Sequence, residues 1–447
     1  MKTRKRVSRR RFLETTGKGA AAVAAMAAGA PAVLAAKSPS EEIGVGHIGL
    51  GVRGGTLIRK VAGTNREPGI KGVKVVAVCD VYKPHLQKGI DRSNNPSVRT
   101  YTDYRDLLAD KGVDAVVIAT PDHWHSQMVI DAANAGKDIY IEKGWTRTVP
   151  EAKAMLAAVK KNNVVMQLGH QGREKAAGLQ AAQLIDEDVL GPVTLVRTGR
   201  MENRPLGRNI WRWYGGYNEY ERPDPAQVIR DLDWKQWVGP LSARPFSMEH
   251  FWHWRCYFDY GTGIAGDLLS HEIDFVQSVL RYGIPDSCTC AGQISLLKDG
   301  RDVPDTWNTI YEYEKRGCTV TFVSSMNTRE PGVFPEFRGK DAWLLFDSIA
   351  QSVTTFDVCV EPDTAKYNAR IEKGEIDPNK PFMTFDPSKT PEQPSHQEDF
   401  FNCVRSREKP KCNEDEAFIE AVTAIMSVEA FKKERKVRWD RQKQEIV

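Results

Sequence analysis

Apolar positions along the first third of the chain switch between continuous runs and helical spacing, the pattern of strands buried on both faces alternating with amphipathic helices. The runs fall at residues 43–48, 73–80, 113–119, 138–141 and 164–168, of which Val113-Asp114-Ala115-Val116-Val117-Ile118-Ala119 is the most continuous. Between them the spacing predicts helices over residues 55–63, 101–110, 122–136 and 149–162. This order predicts an α/β fold with a doubly wound parallel sheet across residues 42–170. Ligands of such sheets bind beyond the carboxyl ends of the strands. Residues 49–54, Asp80, 120–125, Glu142, Lys143 and 169–171 should therefore border one crevice.

Beyond residue 170 the texture changes. A helix predicted over residues 174–190 precedes Gly191-Pro192, and residues 193–198 read as the first strand of a second sheet. Residues 306–313, 319–324 and 343–347 have the β-branched and aromatic content of antiparallel strands. Residues 364–395 are turn-rich and predict a surface insertion, while 396–405 and 414–434 predict helices that return to the first domain. The second domain is expected to span residues 171–435.

The first strand runs into Gly49-Leu50-Gly51-Val52-Arg53-Gly54, a G-x-G-x-x-G turn. The first glycine permits the tight turn, the second lets the backbone approach a pyrophosphate, and the third lets the next helix pack close. Glycines alone are weak evidence; the order strand, turn, helix, strand, acid strengthens it. Asp80, at the tip of the second strand, is placed to bind an adenosine ribose and to repel the extra phosphate of NADP. NAD is therefore the expected cofactor and NADP the less favoured one, with Arg53 inside the turn arguing the other way. Val52, Thr120, Pro121, His125 and Glu142 complete the expected cofactor surface.

Candidate chemistry concentrates in residues 263–274, where Asp267 and His271 stand four apart, a spacing that shares one helical face. A carboxylate beside an imidazole can orient it and raise its basicity, as a general base needs. The same spacing also suits a purely structural hydrogen bond. Lys143 is open in the same way: a strand-end lysine is commonly a solvated charge, but this one borders the expected nicotinamide position, where an ammonium could bind the reacting oxygen. Aromatic residues around Arg212, Trp213, Trp252, Trp254, Arg255 and Tyr257 suit a sugar face, with His253 and Gln171 as further substrate contacts. His250 and His253 with Asp267 and His271 match no closed zinc spacing, and no metal is expected.

Charge adds a compartment. Residues 1–36 hold eight Lys or Arg and one Glu, a net of +7, so the +4 of the whole chain leaves −3 for the remainder. That balance gives no reason to expect a nucleic acid partner. Ser8-Arg9-Arg10-Arg11-Phe12-Leu13 followed by an Ala/Gly-rich run matches a twin-arginine export signal, too short and alanine-rich for a membrane anchor. Delivery to the periplasm or beyond is the expectation. Eight cysteines in 447 residues form no disulfide framework. Cys403 and Cys412 flank a turn and could pair after export, but free, buried cysteines are the expected state.

Four motifs together resemble the Gfo/Idh/MocA family of glucose–fructose oxidoreductases and inositol dehydrogenases: G-L-G-V-R-G at residues 49–54, A-T-P-D-H-W-H at 119–125, E-K-G at 142–144, and G-D-L-L-S-H-E-I-D at 266–274. The resemblance covers nearly all of the chain after the signal. It implies an N-terminal Rossmann domain and a C-terminal α/β domain with a large open, mostly antiparallel sheet that often forms a homodimer or homotetramer interface. It also implies that Lys143, Asp267 and His271 match the family's catalytic lysine, aspartate and histidine. One departure is Gly144, where the family usually has proline. The expected activity is NAD-dependent oxidation of a sugar or glycoside hydroxyl. Two alternatives stay open: glycoside cleavage through transient oxidation and elimination, and a non-catalytic sugar-binding protein.

Overall fold

The computed structural model describes residues 42–202, 224–241, 244–328 and 333–447. The twin-arginine stretch, Arg212 and Trp213 lie outside the described residues. Strands β1 (Ile43–Ile48), β2 (Val73–Cys79), β3 (Arg99–Tyr101), β4 (Ala115–Ile118), β5 (Asp138–Ile141) and β6 (Met166–Leu168) form a parallel sheet in the order β3-β2-β1-β4-β5-β6. Strand order reverses between β1 and β4, which opens a crevice at their carboxyl ends. Every residue of β1, β4 and β5 is buried, because helices cover both faces. On one face Leu57, Ile58 and Val61 join Phe400, Phe401 and Val404 of the His396–Ser406 helix over Val45, Val75 and Ala115. On the other, Met128, Val129 and Met155 pack with Val116, Ile118 and Ile139.

Several elements depart from the expected pattern. The helix predicted over 101–110 is shorter, Tyr104–Ala109, because Asp103 caps it by accepting the Arg105 N–H and Tyr101 already belongs to β3. The Lys83–Arg92 helix, polar at most positions, was not anticipated.

The second sheet has ten strands. Strands β7 (Val193–Met201), β8 (Ser287–Gln293), β9 (Thr306–Tyr313), β10 (Cys318–Ser325), β11 (Glu336–Gly339), β12 (Ala342–Phe346), β13 (Phe356–Val360), β14 (Met383–Thr384), β15 (Val437–Asp440) and β16 (Glu445–Ile446) lie in the order β14-β13-β12-β11-β7-β10-β9-β8-β15-β16. All pairs are antiparallel except β7 with β10. The Ser270–Leu280 and Glu414–Lys432 helices pack on one face. The other face presents Ile310, Val323 and Leu345, each 38–46% exposed. Strands β15 and β16 carry this unit past the expected boundary at 435, and the turn-rich 364–395 segment contributes edge strand β14. All eight cysteines are free, so Cys403 and Cys412 form no bridge. Among the described residues no helix is long and apolar enough to cross a membrane.

Candidate active site

The glycine turn follows directly from the end of β1. Gly49 takes φ +83°, and a Cβ on Gly54 would stand 1.9 Å from the Gly49 carbonyl oxygen, so the first and third glycines of the motif are sterically required. Gly51 then begins the Val52–Ala62 helix with no side-chain cap, which leaves first-turn N–H groups for an anion. Asp80 braces this turn: Oδ2 accepts the Leu50 N–H at 2.7 Å and Oδ1 the Tyr82 N–H at 2.9 Å. Asp80 borders a cavity with about 1080 Å³ of unfilled space, partly open to solvent, lined also by Gly49, Gly51, Val52, Thr120 and Pro121. The cradle, the uncapped helix start and the acid fit a dinucleotide.

Three expected cofactor contacts are otherwise engaged. Arg53 places Nε 2.7 Å from Glu142 Oε1, and although burial works against its charge, Glu142 and Tyr140 raise its pKa. The guanidinium is thus already neutralised, and its pull toward NADP is correspondingly weaker. Glu142, only 5% exposed, serves that pair. His125 is fully buried, with Nδ1 2.7 Å from the Gly144 carbonyl and Nε2 3.0 Å from the Thr120 carbonyl. It ties the end of β4 to the turn after β5 instead of facing the cavity.

At the inner end of the crevice the Lys143–Gly144 peptide is cis, and Lys143 Nζ donates to Asp267 Oδ1 and to the Asp267 carbonyl, both at 2.6 Å. Arg255 Nε stands 3.6 Å from the same Oδ1, with its guanidinium 4.0 Å over the Trp254 ring. The expected pairing of Asp267 with His271 does not form. Residues Ala265–Leu269 are a π-helical turn, which breaks the i, i+4 alignment of a regular helix, and the carboxylate turns to Lys143 instead.

His271 is half-buried and meets His170 edge-on, ring centroids 5.3 Å apart. Burial holds its pKa well below the ordinary histidine value; Lys143, His170 and Arg200 add to this, and Asp267 opposes it least strongly of all. The imidazole is therefore neutral near pH 7, the form a base requires. His170 is shifted the other way: burial lowers its pKa, but Asp274 and Glu420 outweigh that. Asp274 is itself bound by Arg173 at 2.8 and 2.9 Å. The sequence marked His170 only as a crevice neighbour, and its position on a strand tip is the signal that could have promoted it. Asp122, anticipated as a helix start and crevice neighbour but given no chemical role, lies 7% exposed in the niche shared by Lys143, Arg255 and Asp267. Burial pushes its pKa up.

Of the residues expected on the substrate face, Arg255 and Trp254 share the niche of Lys143 and Asp267. Gln171 donates its amide to the Tyr140 hydroxyl at 3.0 Å. His253 is 9% exposed, and Tyr257 packs 4.3 Å from the His250 ring, with burial pushing its hydroxyl up to about 12.

Residues 43–170 match the model of an oxidoreductase family with an NAD-binding Rossmann fold, and residues 183–340 match that family's C-terminal alpha/beta domain. The chain belongs to the Gfo/Idh/MocA oxidoreductase family. It is 31% identical over 196 residues to inositol 2-dehydrogenase of Salmonella typhimurium, a match spanning 43% of this chain and 53% of that protein. A glycosyl hydrolase family 109 protein of Shewanella baltica is 27% identical over 210 residues, 41% of this chain and 44% of the relative. The chain thus spans about half the length of the curated relatives it matches. Among solved structures, levoglucosan dehydrogenase in complex with NADH and levoglucosan superposes with a TM-score of 0.64 at 21% identity, over 89% of this chain and 99% of that one. Aldose-aldose oxidoreductase from Caulobacter crescentus gives 0.63 at 18% identity, over 89% and 100%. At these identities the likeness speaks to the fold, and the family's NAD-binding domain coincides with the crevice built on Gly49–Gly54 and Asp80.

Proposed function

We propose that this family member is an exported oxidoreductase that oxidises a hydroxyl of a sugar or glycoside and keeps its NAD through turnover. The observation that carries the reading is the convergence of Lys143, Asp267 and Arg255 in a niche beside the nucleotide crevice, with a neutral His271 close enough for Lys143 and Asp267 to act on its charge. When bound, the nicotinamide accepts a hydride from the carbon bearing the hydroxyl and can return it. His271 takes the hydroxyl proton, and the Lys143 ammonium, held by Asp267, stabilises the oxygen by its charge. Arg255 supplies a second cation for substrate oxygens.

Retention follows from the compartment. A twin-arginine signal exports folded protein, and free NAD is scarce outside the cytoplasm, so the cofactor is loaded before export. Each hydride removed must then go to a second carbonyl compound or back to the same substrate. The second course is the glycoside-cleaving reading, which the similarity to family 109 glycosyl hydrolase proteins favours. The test is incubation of the purified protein with a panel of glycosides and free sugars without added NAD. Turnover only with a carbonyl acceptor supports the oxidoreductase; aglycone release with no acceptor supports cleavage. A cofactor-free protein that works only with supplied NAD would overturn retention. A second copy covering Ile310, Val323 and Leu345 on the open sheet is the matching assembly, tested by the mass of the protein in solution.

A further inference from the structure

The nucleotide crevice has two walls of different origin. One is the glycine turn with Asp80, Val81 and His85; the other is Gln236, Trp237, Phe251, Trp252, Trp254 and Arg255, contributed from beyond β7. This second wall is fastened to the Rossmann domain by backbone and side-chain hydrogen bonds. The Asp233 N–H donates to the Val81 carbonyl at 2.9 Å, Leu232 bridges to Tyr82, and Trp124 Nε1 donates to the Trp237 carbonyl at 2.9 Å.

Its aromatic residues gather at the adenosine end. His85 Nδ1 lies 3.7 Å from Asp80, and Tyr82 and His85 meet Phe251 and Trp252 with ring centroids 5.3 to 6.4 Å apart. Three residues beyond Trp252, Arg255 reaches Asp267 at the opposite end. One short segment therefore spans the crevice from the ribose-binding acid to the catalytic candidates. Flat, apolar rings suit the face of a purine and exclude water from it.

We propose that Phe251 and Trp252, backed by Trp237, form an aromatic strap over the adenosine end that slows escape of the dinucleotide. The proposal rests on the retained-NAD reading above and names the residues responsible for it. The segment holds the cofactor and Arg255 in register, so a bound dinucleotide and a formed substrate end are parts of one arrangement.

The test compares full-length protein, the Phe251→Ala/Trp252→Ala double variant, Trp252→Ala alone and the conservative Trp252→Phe. Circular dichroism checks the fold, NAD(H) is assayed after denaturation, and NADH dissociation is followed by its fluorescence. The wild type should keep NAD(H) through gel filtration, the double variant should release it at least tenfold faster, and Trp252→Phe should stay within about threefold of wild type. Should the double variant not fold, Trp252→Ala must show faster release by itself. A folded alanine variant that releases NADH at the wild-type rate overturns the strap. If the wild type itself purifies empty, retention fails, and the strap is judged separately on affinity for added NADH: tenfold weaker binding by the alanine variant upholds it, and equal affinity overturns it.

Discussion

Replacing Lys143 with methionine keeps most of the side chain's length and apolar stem while removing the ammonium. Two charge-assisted hydrogen bonds disappear, to Asp267 Oδ1 and to its carbonyl, both 2.6 Å in the wild type. The side chains are 11% and 5% exposed, so water does little to replace the lost partner. Stripping one member from a buried ion pair costs about 3–5 kcal/mol. Arg255, 3.6 Å from the same carboxylate oxygen, remains as counter-charge and places the expected loss at the lower end, about 3 kcal/mol. Catalysis should suffer separately. Removing one preorganised donor from a reacting oxygen lowers kcat by about 10²–10³, or about 2.7–4 kcal/mol of barrier. Neither effect touches the glycine turn or Asp80, so Lys143→Met should retain NAD(H). The assay measures turnover on the sugar panel, cofactor content after denaturation, and unfolding in urea. Turnover within tenfold of wild type, in protein carrying its full complement of NAD, would refute the assignment of Lys143 to the reacting oxygen.

His271→Ala should lower turnover at least 100-fold with NAD still bound, the scale of losing a positioned base. Because the His271 pKa is depressed, the neutral base persists below the ordinary value of about 6.5, and wild-type kcat/KM should stay flat from neutral pH down to about that value; an acid limb centred above pH 7 would contradict this. Asp80→Ala should weaken NAD binding and improve relative use of NADP, and an unmoved preference would mean that another group reads the ribose. Burial pushes the Glu272 carboxyl from 4.5 to about 7 against Thr198, Arg200 and the Ala350 N–H. The folded state then holds a proton the unfolded chain has lost, so wild-type stability falls as pH rises from 4.5 through 7, by about 3 kcal/mol in all. Glu272→Gln lacks this term and should gain on wild type in urea unfolding between pH 5 and 8, whereas a difference independent of pH would count against the raised pKa.

The doubly wound sheet was legible because its strands are buried on both faces and leave unbroken apolar runs, and Asp138–Ile141 and Val149–Asn162 match their predicted bounds. The Lys83–Arg92 helix escaped notice because its apolar face is only Leu86 and Ile90, one turn apart and partly buried, with Gly89 the one fully buried residue. At the site, residue types and neighbourhood could be read, but pairings could not. Four-residue spacing implies a shared face only if the helix is regular, and the π turn at Ala265–Leu269 gives no warning in composition. His125 likewise occupies the motif position expected at the cofactor, yet its partners are two carbonyls, from Thr120 and Gly144, that come together only in the folded chain. The aromatic wall was visible as a cluster of rings; that it faces the nucleotide as well as the substrate depends on how the second unit docks.

For the proposed hydroxyl oxidation, the displaced pairing changes how the chemistry would be divided. A hydroxyl oxidation needs a cation at the oxygen and a neutral base at its proton, two opposite protonation states in one crevice. Had Asp267 bonded to His271, its charge would have favoured the imidazolium and left Lys143 beside the base without a close carboxylate. The π turn assigns the carboxylate to Lys143, 2.6 Å from its ammonium, and leaves His271 among Lys143, His170 and Arg200, which disfavour its protonation. His170 bears its own charge more readily because Asp274 and Glu420 stand behind it. Each cation in the arrangement thus has an acid assigned to it, and His271 is the group left without a strong one. Environments that push neighbouring groups toward opposite charge states are what separate an electrophile from a base, and here a single irregular turn of helix makes that separation.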